Sequence, residues 1–116
     1  MPPVLDKSRP LLSVLDLERD AFIAKLSDLL KAKDVQSAYV VGSYARQQAE
    51  AWSDIDLLIV YETEMPFVER PRIFDELRDF GVPFDILVYT PNEFASLEQD
   101  PTGFWRSTKQ DRLRIV

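Results

Sequence analysis

The chain contains no cysteine and no histidine among its 116 residues. The absence of cysteine excludes a disulfide framework and thiolate chemistry. The absence of histidine removes the commonest general base and the usual zinc ligand. Any catalysis by these residues must therefore rest on carboxylates, a metal ion, hydroxyl groups and basic side chains.

The sequence also lacks a long apolar run. No stretch approaches the roughly eighteen residues that a membrane-crossing helix needs. Its first seven residues lack the charged start and the apolar core that are typical of a signal peptide. We therefore expect no membrane partner and a location in the cytoplasm, where ATP and magnesium are plentiful.

Positive charge is in short supply, because 14 basic residues face 20 acidic ones and the net charge is −6. Non-specific nucleic-acid binding depends on neutralising phosphates, and an acidic domain does this poorly. We therefore do not expect a long nucleic-acid substrate, although a tRNA end or a single nucleotide stays open. Apolar residues make up 46% and charged residues 29%, which is ordinary for a globular protein.

The pattern of apolar residues predicts an irregular tail over residues 1–12 and a single domain over 13–116. The predicted elements are helix 15–31, strand 37–41, short helix 44–50, strand 55–61, helix 70–80, strand 82–89, helix 91–97, a last helical turn 104–109 and a candidate edge strand 113–116. This order predicts an α/β (α+β) fold in which helices pack on a small mixed β-sheet.

The most informative segment runs from Gly42 to Asp56. Gly42 and Ser43 end a short apolar strand and begin a helix, so their backbone N–H groups are suited to a phosphate. Asp54 and Asp56 open the next strand, and because alternate residues of a strand point the same way, the two carboxylates share one face. Two carboxylates opposite such a turn predict a site for a magnesium-bound nucleotide.

A third carboxylate, Asp85, stands inside an apolar strand, where a charge is costly unless it is paired or metal-bound. If its strand lies beside that of Asp56, three carboxylates converge and can bind two metal ions, which activate an attacking hydroxyl and clamp a triphosphate. Arg46 is placed to reach a phosphate or to pair with an acid. We therefore predict that the catalytic and metal-binding residues are Asp54, Asp56 and Asp85, with Mg²⁺ or Mn²⁺ as the metal. The predicted nucleotide-binding residues are Gly42, Ser43 and Arg46.

Each of these features also has an ordinary structural explanation. A glycine–serine turn at a strand end is most often structural, and an Asp-x-Asp pair often caps a strand in solvent. Asp85 could be buried opposite a lysine or an arginine, and Arg46 could be a surface residue. The functional interpretation depends on finding all of them in this order and at this spacing.

The segment GSYARQQAEAWSDIDLLIV resembles the signature of the DNA-polymerase-β-like nucleotidyltransferase superfamily, which is Gly-Ser, about ten residues, and then Asp-hydrophobic-Asp. It looks most like the minimal nucleotidyltransferase (MNT) branch, whose small prokaryotic domains carry turns of the GSxARG type. The resemblance covers residues 39–61 and implies a nucleotidyltransferase-like fold. It implies that Asp54 and Asp56 are metal ligands, that Asp85 is the third ligand or the base, and that Gly42 and Ser43 hold the triphosphate.

One position departs from the family pattern. Family members usually have a glycine directly after the arginine of the turn, where this chain has Gln47 followed by Gln48. The lost flexibility is expected to alter the helix between the turn and the strand. Because the glycine–serine pair and the three carboxylates are intact, we interpret the change as drift rather than loss of function.

The leading hypothesis is metal-dependent transfer of a nucleoside monophosphate, AMP from ATP, onto an acceptor hydroxyl with release of pyrophosphate. MNT proteins are often paired with a small helical HEPN protein, and some such pairs act as antitoxin and toxin. The resemblance therefore implies a HEPN-type partner, and a homodimer stays open as well. The first alternative is a catalytically inactive MNT-fold antitoxin or regulatory binding subunit. Metal-dependent phosphoester hydrolysis is a second alternative, which the glycine–serine turn and the negative net charge disfavour.

Overall fold

The computed structural model of this protein describes residues 11–116, so most of the predicted tail 1–12 lies outside the described residues. The elements are a 3₁₀ turn Val14–Asp16, α1 Arg19–Ala32, β1 Ser37–Val41, α2 Gly42–Ala45, β2 Ile55–Val60, a 3₁₀ segment Phe67–Phe80, β3 Phe84–Tyr89, α3 Pro91–Leu97, α4 Gly103–Asp111 and β4 Leu113–Arg114. Within the described residues, no helix is long and apolar enough to cross a membrane.

The four strands form one sheet in the order β3-β2-β1-β4. β1 runs antiparallel to both β2 and β4, whereas β2 and β3 are parallel. A mixed sheet with helices packed on it confirms the predicted fold class. The parallel pair is needed for the site, because it brings the equivalent ends of β2 and β3 to the same edge of the sheet.

The two central strands are buried on both faces, which explains why their sequences are apolar almost throughout. On one face Ile55, Leu57 and Ile59 of β2 belong to a core that includes residues of α1 and of the 3₁₀ segment. On the other face Leu58 and Val60 pack in a second cluster with α3 and α4. Residues alternate along a strand, so Asp56 lies on this second face.

The predicted helix 15–31 is interrupted near its start. Ser13 caps a separate 3₁₀ turn by accepting a hydrogen bond from the Leu15 amide at 3.2 Å, while Asp16 accepts from the Ser13 amide at 2.9 Å. Glu18 then caps α1 by accepting from the Ala21 amide at 2.7 Å. These side chains satisfy the free amides of two successive helix starts, so the chain forms two helical elements where the apolar pattern predicted one.

The predicted helix 70–80 is longer and tighter than expected, since the structure has a 3₁₀ segment that already begins at Phe67. Pro71 lies inside it and has no amide hydrogen to donate, and Phe74 adopts φ −114° and ψ 32°, which marks a kink. The predicted end is confirmed, because the segment stops at Gly81 with φ +77°.

Arg70 ties this 3₁₀ segment to the end of β3 and to the start of α3. Its side chain is buried, and it donates to the carbonyl oxygens of Met65 at 2.9 Å and Val88 at 3.0 Å. Two further bonds, at 2.6 and 3.2 Å, reach both carboxylate oxygens of Glu93. This arginine lowers the pKa of Glu93 to about 2, with help from the Thr90 amide.

Replacing Arg70 by methionine should destabilise the fold by about 2–3 kcal/mol, because two carbonyl groups and a carboxylate lose their donor. Arg72→Met, at an exposed position of the same segment, should cost less than about 0.5 kcal/mol. Denaturant unfolding of the three proteins measures both values. Equal stabilities of Arg70→Met and Arg72→Met at neutral pH would contradict this assignment.

The contribution of Glu93 to stability should depend on pH. Glu93 has a lowered pKa in the folded state, so its contribution should be complete above about pH 4.5 and should be lost as the pH falls towards 2.

Candidate active site

Gly42 brings the backbone of the turn against Asp56. It adopts φ +74°, a conformation that glycine reaches without a steric penalty. A Cβ atom at this position would lie 3.1 Å from Cγ of Asp56 and 3.4 Å from its Cβ, and closer still to Oδ2. Both the backbone conformation and the lack of space therefore require glycine here.

Asp56 and Asp85 are direct neighbours across the parallel strands β2 and β3. Neighbouring strands lie about 4.8 Å apart, so the two carboxylates share one small region of the second face. Asp56 is half-buried, whereas Asp85 is exposed. The expected juxtaposition of the two residues is thus confirmed.

The possibility that Asp85 is buried opposite a lysine or an arginine is wrong. β3 is at the edge of the sheet, and its residues on this face are only partly covered, so the charge of Asp85 remains in contact with water. The expected cost of a charge within an apolar strand is correspondingly small. The carboxylate is available to a ligand.

The site carries uncompensated negative charge. The pKa of Asp56 is raised above its ordinary value, first by burial and then by the charges of Asp85 and Asp54, and Arg46 offsets this only in part. Asp54 is exposed and lies directly before β2. The charges of both other predicted carboxylates therefore act on Asp56.

A cavity of about 240 Å³ opens at this point. Its lining residues come from the strand ends, from the turn and from α4, and they are Val41, Gly42, Arg46, Asp56, Leu57, Asp85, Leu87 and Thr108. Four of the six predicted site residues are thus brought together in one cavity. Ser43, the half-buried second residue of α2, and the exposed Asp54 are not among its lining residues.

The geometry of the site is suited to a divalent cation held by the pair Asp56 and Asp85, rather than by all three predicted carboxylates at once. Magnesium is commonly held by one or two carboxylates together with substrate phosphates, and Asp56 beside Asp85 supplies such a pair with excess negative charge. Within residues 11–116, no group of three acidic side chains is assembled closely enough to hold a metal ion. The arrangement fits a cation that completes its coordination with phosphate oxygens.

Arg46 lines the cavity and also pairs with an acid. Its Nη1 lies 3.6 Å from Oδ2 of Asp111 in α4, and its Nε donates to Oε1 of Gln48 at 3.4 Å. Both members of the ion pair are partly exposed. Arg46 was predicted either to reach a phosphate or to pair with an acid, and the structure contains the pair with an acid.

Sequence reasoning missed the contribution of α4. Thr108 is buried at the cavity wall and Asp111 faces Arg46, since the helix packs on the second face with Trp105 against Tyr89 at 5.5 Å between ring centroids. The sequence predicted only a last helical turn or two over residues 104–109. Nothing in the spacing indicated that this helix returns to the end of β2.

Gln47, which stands where the family pattern has glycine, adopts a backbone conformation that favours glycine. It adopts φ +59°, in the left-handed region, and its amide donates to the Tyr44 carbonyl at 3.1 Å. α2 ends at Ala45, shorter than the predicted helix 44–50. A residue with a side chain therefore occupies a position whose backbone conformation favours glycine.

The model of the family described as "Nucleotidyltransferase domain" matches residues 21–113, which is most of the chain. The chain therefore belongs to this family. A relative from Methanocaldococcus jannaschii is 31% identical over 84 residues, which cover 67% of this chain and 86% of the relative. Its name assigns it provisionally as a protein adenylyltransferase. The predicted family is confirmed.

Solved structures share the fold. A toxin–antitoxin with AMP-PNP has a TM-score of 0.59 at 18% identity, covering 81% of this chain and 72% of that one. A chain described provisionally as a minimal nucleotidyltransferase has a TM-score of 0.58 at 23% identity, covering 88% of this chain and 98% of that one. These likenesses confirm the nucleotidyltransferase-like fold.

Replacing Gln47 by glycine should stabilise the protein by about 0.5–1 kcal/mol, because glycine adopts the left-handed conformation without strain. Gln48→Gly, one residue along, should be neutral or destabilising. Glycine there relieves no strain in the folded state and only increases the conformational entropy of the unfolded chain. Denaturant midpoints at constant m-value measure both changes. Stabilisation by the second variant and not by the first would contradict a strained Gln47.

Asp56→Asn should raise the stability of the metal-free protein by up to about 1 kcal/mol, because like charges placed side by side on neighbouring strands are destabilising. The raised pKa of Asp56 leads to the same expectation. As the pH rises, ionisation of Asp56 stabilises the unfolded state more than the folded state, so the free energy of unfolding falls. The wild type should therefore lose stability relative to Asp56→Asn between acidic and neutral pH. Thermal unfolding of both proteins across that range tests the sign, and a variant less stable than the wild type at neutral pH would contradict it.

Proposed function

We propose that this protein is a metal-dependent nucleotidyltransferase that moves AMP from ATP onto an acceptor hydroxyl and releases pyrophosphate. The observation that carries the proposal is a single cavity that combines Asp56 and Asp85 with the Gly42 turn and Arg46. Membership of the nucleotidyltransferase domain family supports the class of reaction. ATP as the nucleotide and Mg²⁺ or Mn²⁺ as the metal are part of the proposal.

In the proposed complex the triphosphate lies on the Gly42 side of the cavity. Gly42 lets the backbone approach the phosphates closely, and Ser43 adds its amide and hydroxyl at the start of α2. Arg46 supplies a guanidinium group that can contact two phosphate oxygens at once. These residues bind and orient the nucleotide.

Asp56 and Asp85 would hold the metal, and Asp54, whose charge already acts on Asp56, is the proposed further ligand. A bound divalent cation neutralises phosphate charge and polarises the α-phosphate. We assign Asp85 as the group that accepts the proton of the attacking hydroxyl, because it is the most exposed of the cavity carboxylates. The acceptor oxygen forms a bond to the α-phosphorus while the bond from that phosphorus to pyrophosphate breaks.

The proposed acceptor is a hydroxyl on a protein partner. The cavity of about 240 Å³ is smaller than the roughly 300–1,000 Å³ that small-molecule sites usually occupy, so the acceptor and part of the nucleotide would lie outside it. The Methanocaldococcus jannaschii relative is named for the adenylylation of proteins, and fold neighbours are toxin–antitoxin assemblies. We therefore propose a helical HEPN-type toxin as the partner, in the cytoplasm, with a homodimer as a further possibility.

A binding-only antitoxin subunit is the second candidate. Two observations favour it: Arg46 is already paired with Asp111, and the three carboxylates are not gathered into one metal-binding group within residues 11–116. Such a protein would bind its partner and nucleotide without turnover. A direct test of transfer separates the two candidates.

The transfer test uses ATP labelled at the α-phosphate, Mg²⁺, and a lysate of the native organism as the source of acceptor. The wild type should label a protein band, and Asp56→Asn should reduce labelling by about a hundredfold or more, because it removes a ligand of the metal. Asp75→Asn is the matched control, since Asp75 is an exposed acid on the 3₁₀ segment, which packs on the opposite face of the sheet.

A band that is present with the wild type and Asp75→Asn, and absent with Asp56→Asn, would establish nucleotidyl transfer and give the mass of the acceptor. Full labelling by Asp56→Asn would contradict the metal-site assignment. ATP binding by calorimetry, without a labelled product from any of the three proteins, would favour the binding-only subunit.

A further inference from the structure

The C-terminal end of α4 reaches the rim of the proposed nucleotide site. Oδ2 of Asp111 lies 3.6 Å from Nη1 of Arg46, which also lines the cavity with Asp56 and Asp85. The side chains of Arg46 and Asp111 are 38% and 31% exposed. The guanidinium group is therefore shared between an acid of α4 and the open cavity.

Asp111 is held in place independently of Arg46. The next residue, Arg112, makes two bonds of 2.6 and 3.1 Å to the carboxylate of Glu98, and its guanidinium carbon lies 4.6 Å from the ring centroid of Tyr39. Lys109 donates to the carbonyl oxygen of Glu98. These contacts fix the end of α4, so loss of the ion pair should leave the helix where it is.

The ion pair competes with phosphate for Arg46. A guanidinium group makes its strongest contacts when two of its N–H groups donate to the same carboxylate or phosphate, so a two-bond contact with phosphate draws Arg46 away from Asp111. At 3.6 Å and with partial exposure, the pair with Asp111 is weak enough for a triphosphate to replace it.

We propose that Asp111 is a positioning residue that holds Arg46 at the rim of the cavity and lowers the affinity for a nucleoside triphosphate until the phosphates take its place. This inference rests on the proposed function, because it takes the cavity as the nucleotide site. It makes α4 part of that site, although the motif that predicted the site ends at β2.

A double-mutant cycle tests the proposal. The dissociation constant of ATP with Mg²⁺ is measured by calorimetry for the wild type, Asp111→Asn, Arg46→Gln and the double variant. Asp111→Asn should tighten binding about two- to fivefold, which is the scale of a partly exposed ion pair. Arg46→Gln should weaken binding. In the Arg46→Gln background the Asp111 substitution should change the dissociation constant by less than about 1.5-fold, because no guanidinium is left to release.

Asp75→Asn is the matched control for net charge. Asp75 forms an ion pair of similar length but greater exposure, with 3.5 Å between its Oδ1 and Nη2 of Arg78, on the opposite face of the sheet. It should leave the dissociation constant unchanged. Asp111→Ala should reproduce the effect of Asp111→Asn, and melting temperatures within about 2 °C of the wild type would show that α4 stays folded.

The outcomes separate this inference from the proposed function. If the wild type binds ATP and Asp111→Asn binds it equally well, the inference is wrong and the nucleotide site stands. An equal gain in the Arg46→Gln background or with Asp75→Asn would also overturn it, since the effect would then be one of net charge. If the wild type binds no ATP, the proposed nucleotide site is wrong and the inference falls with it.

Discussion

The parallel pairing of β2 with β3 places two carboxylates side by side, and the candidate site depends on this register. Packing on the opposite face of β2 determines the register, because Ile55, Leu57 and Ile59 are fully buried there against α1 and the 3₁₀ segment. A slip of one residue would turn Asp56 into that core and move the apolar residues into the cavity. Packing on one face of the sheet therefore determines the chemistry that is available on the other.

Features with a local cause were predicted well from the sequence. Strand β1 and helix α3 have the predicted bounds, since Ser37–Val41 is a short apolar run before a glycine and Thr90 with Glu93 forms a capping box. The errors in the other helices have local causes of a different kind. Side-chain caps divide the first helix, and Pro71 lies inside the 3₁₀ segment that replaces the third predicted helix. The prediction took neither the caps nor this proline into account.

The site was predictable as far as the motif extends. The spacing from Gly42 to Asp56 and the position of Asp85 indicated a common cavity, and these residues do line one. The return of α4 to the cavity was not predictable, because it depends on the packing of Trp105 against Tyr89 rather than on any neighbour in the sequence. For the same reason Asp111 could not be identified from the sequence as the acid that pairs with Arg46.

The close approach of Gly42 to Asp56 has a consequence for how this protein can change during evolution. A side chain at position 42 would displace the carboxylate of Asp56 and would also distort the turn. A single substitution would therefore disturb both the phosphate side and the carboxylate side of the site. Because the φ of +74° at position 42 strains any other residue, a lineage that keeps the fold for binding alone is expected to keep this glycine. Among natural variants of this chain, the glycine would then be a marker of the fold, and changes at the carboxylates would be the marker of altered chemistry at the site.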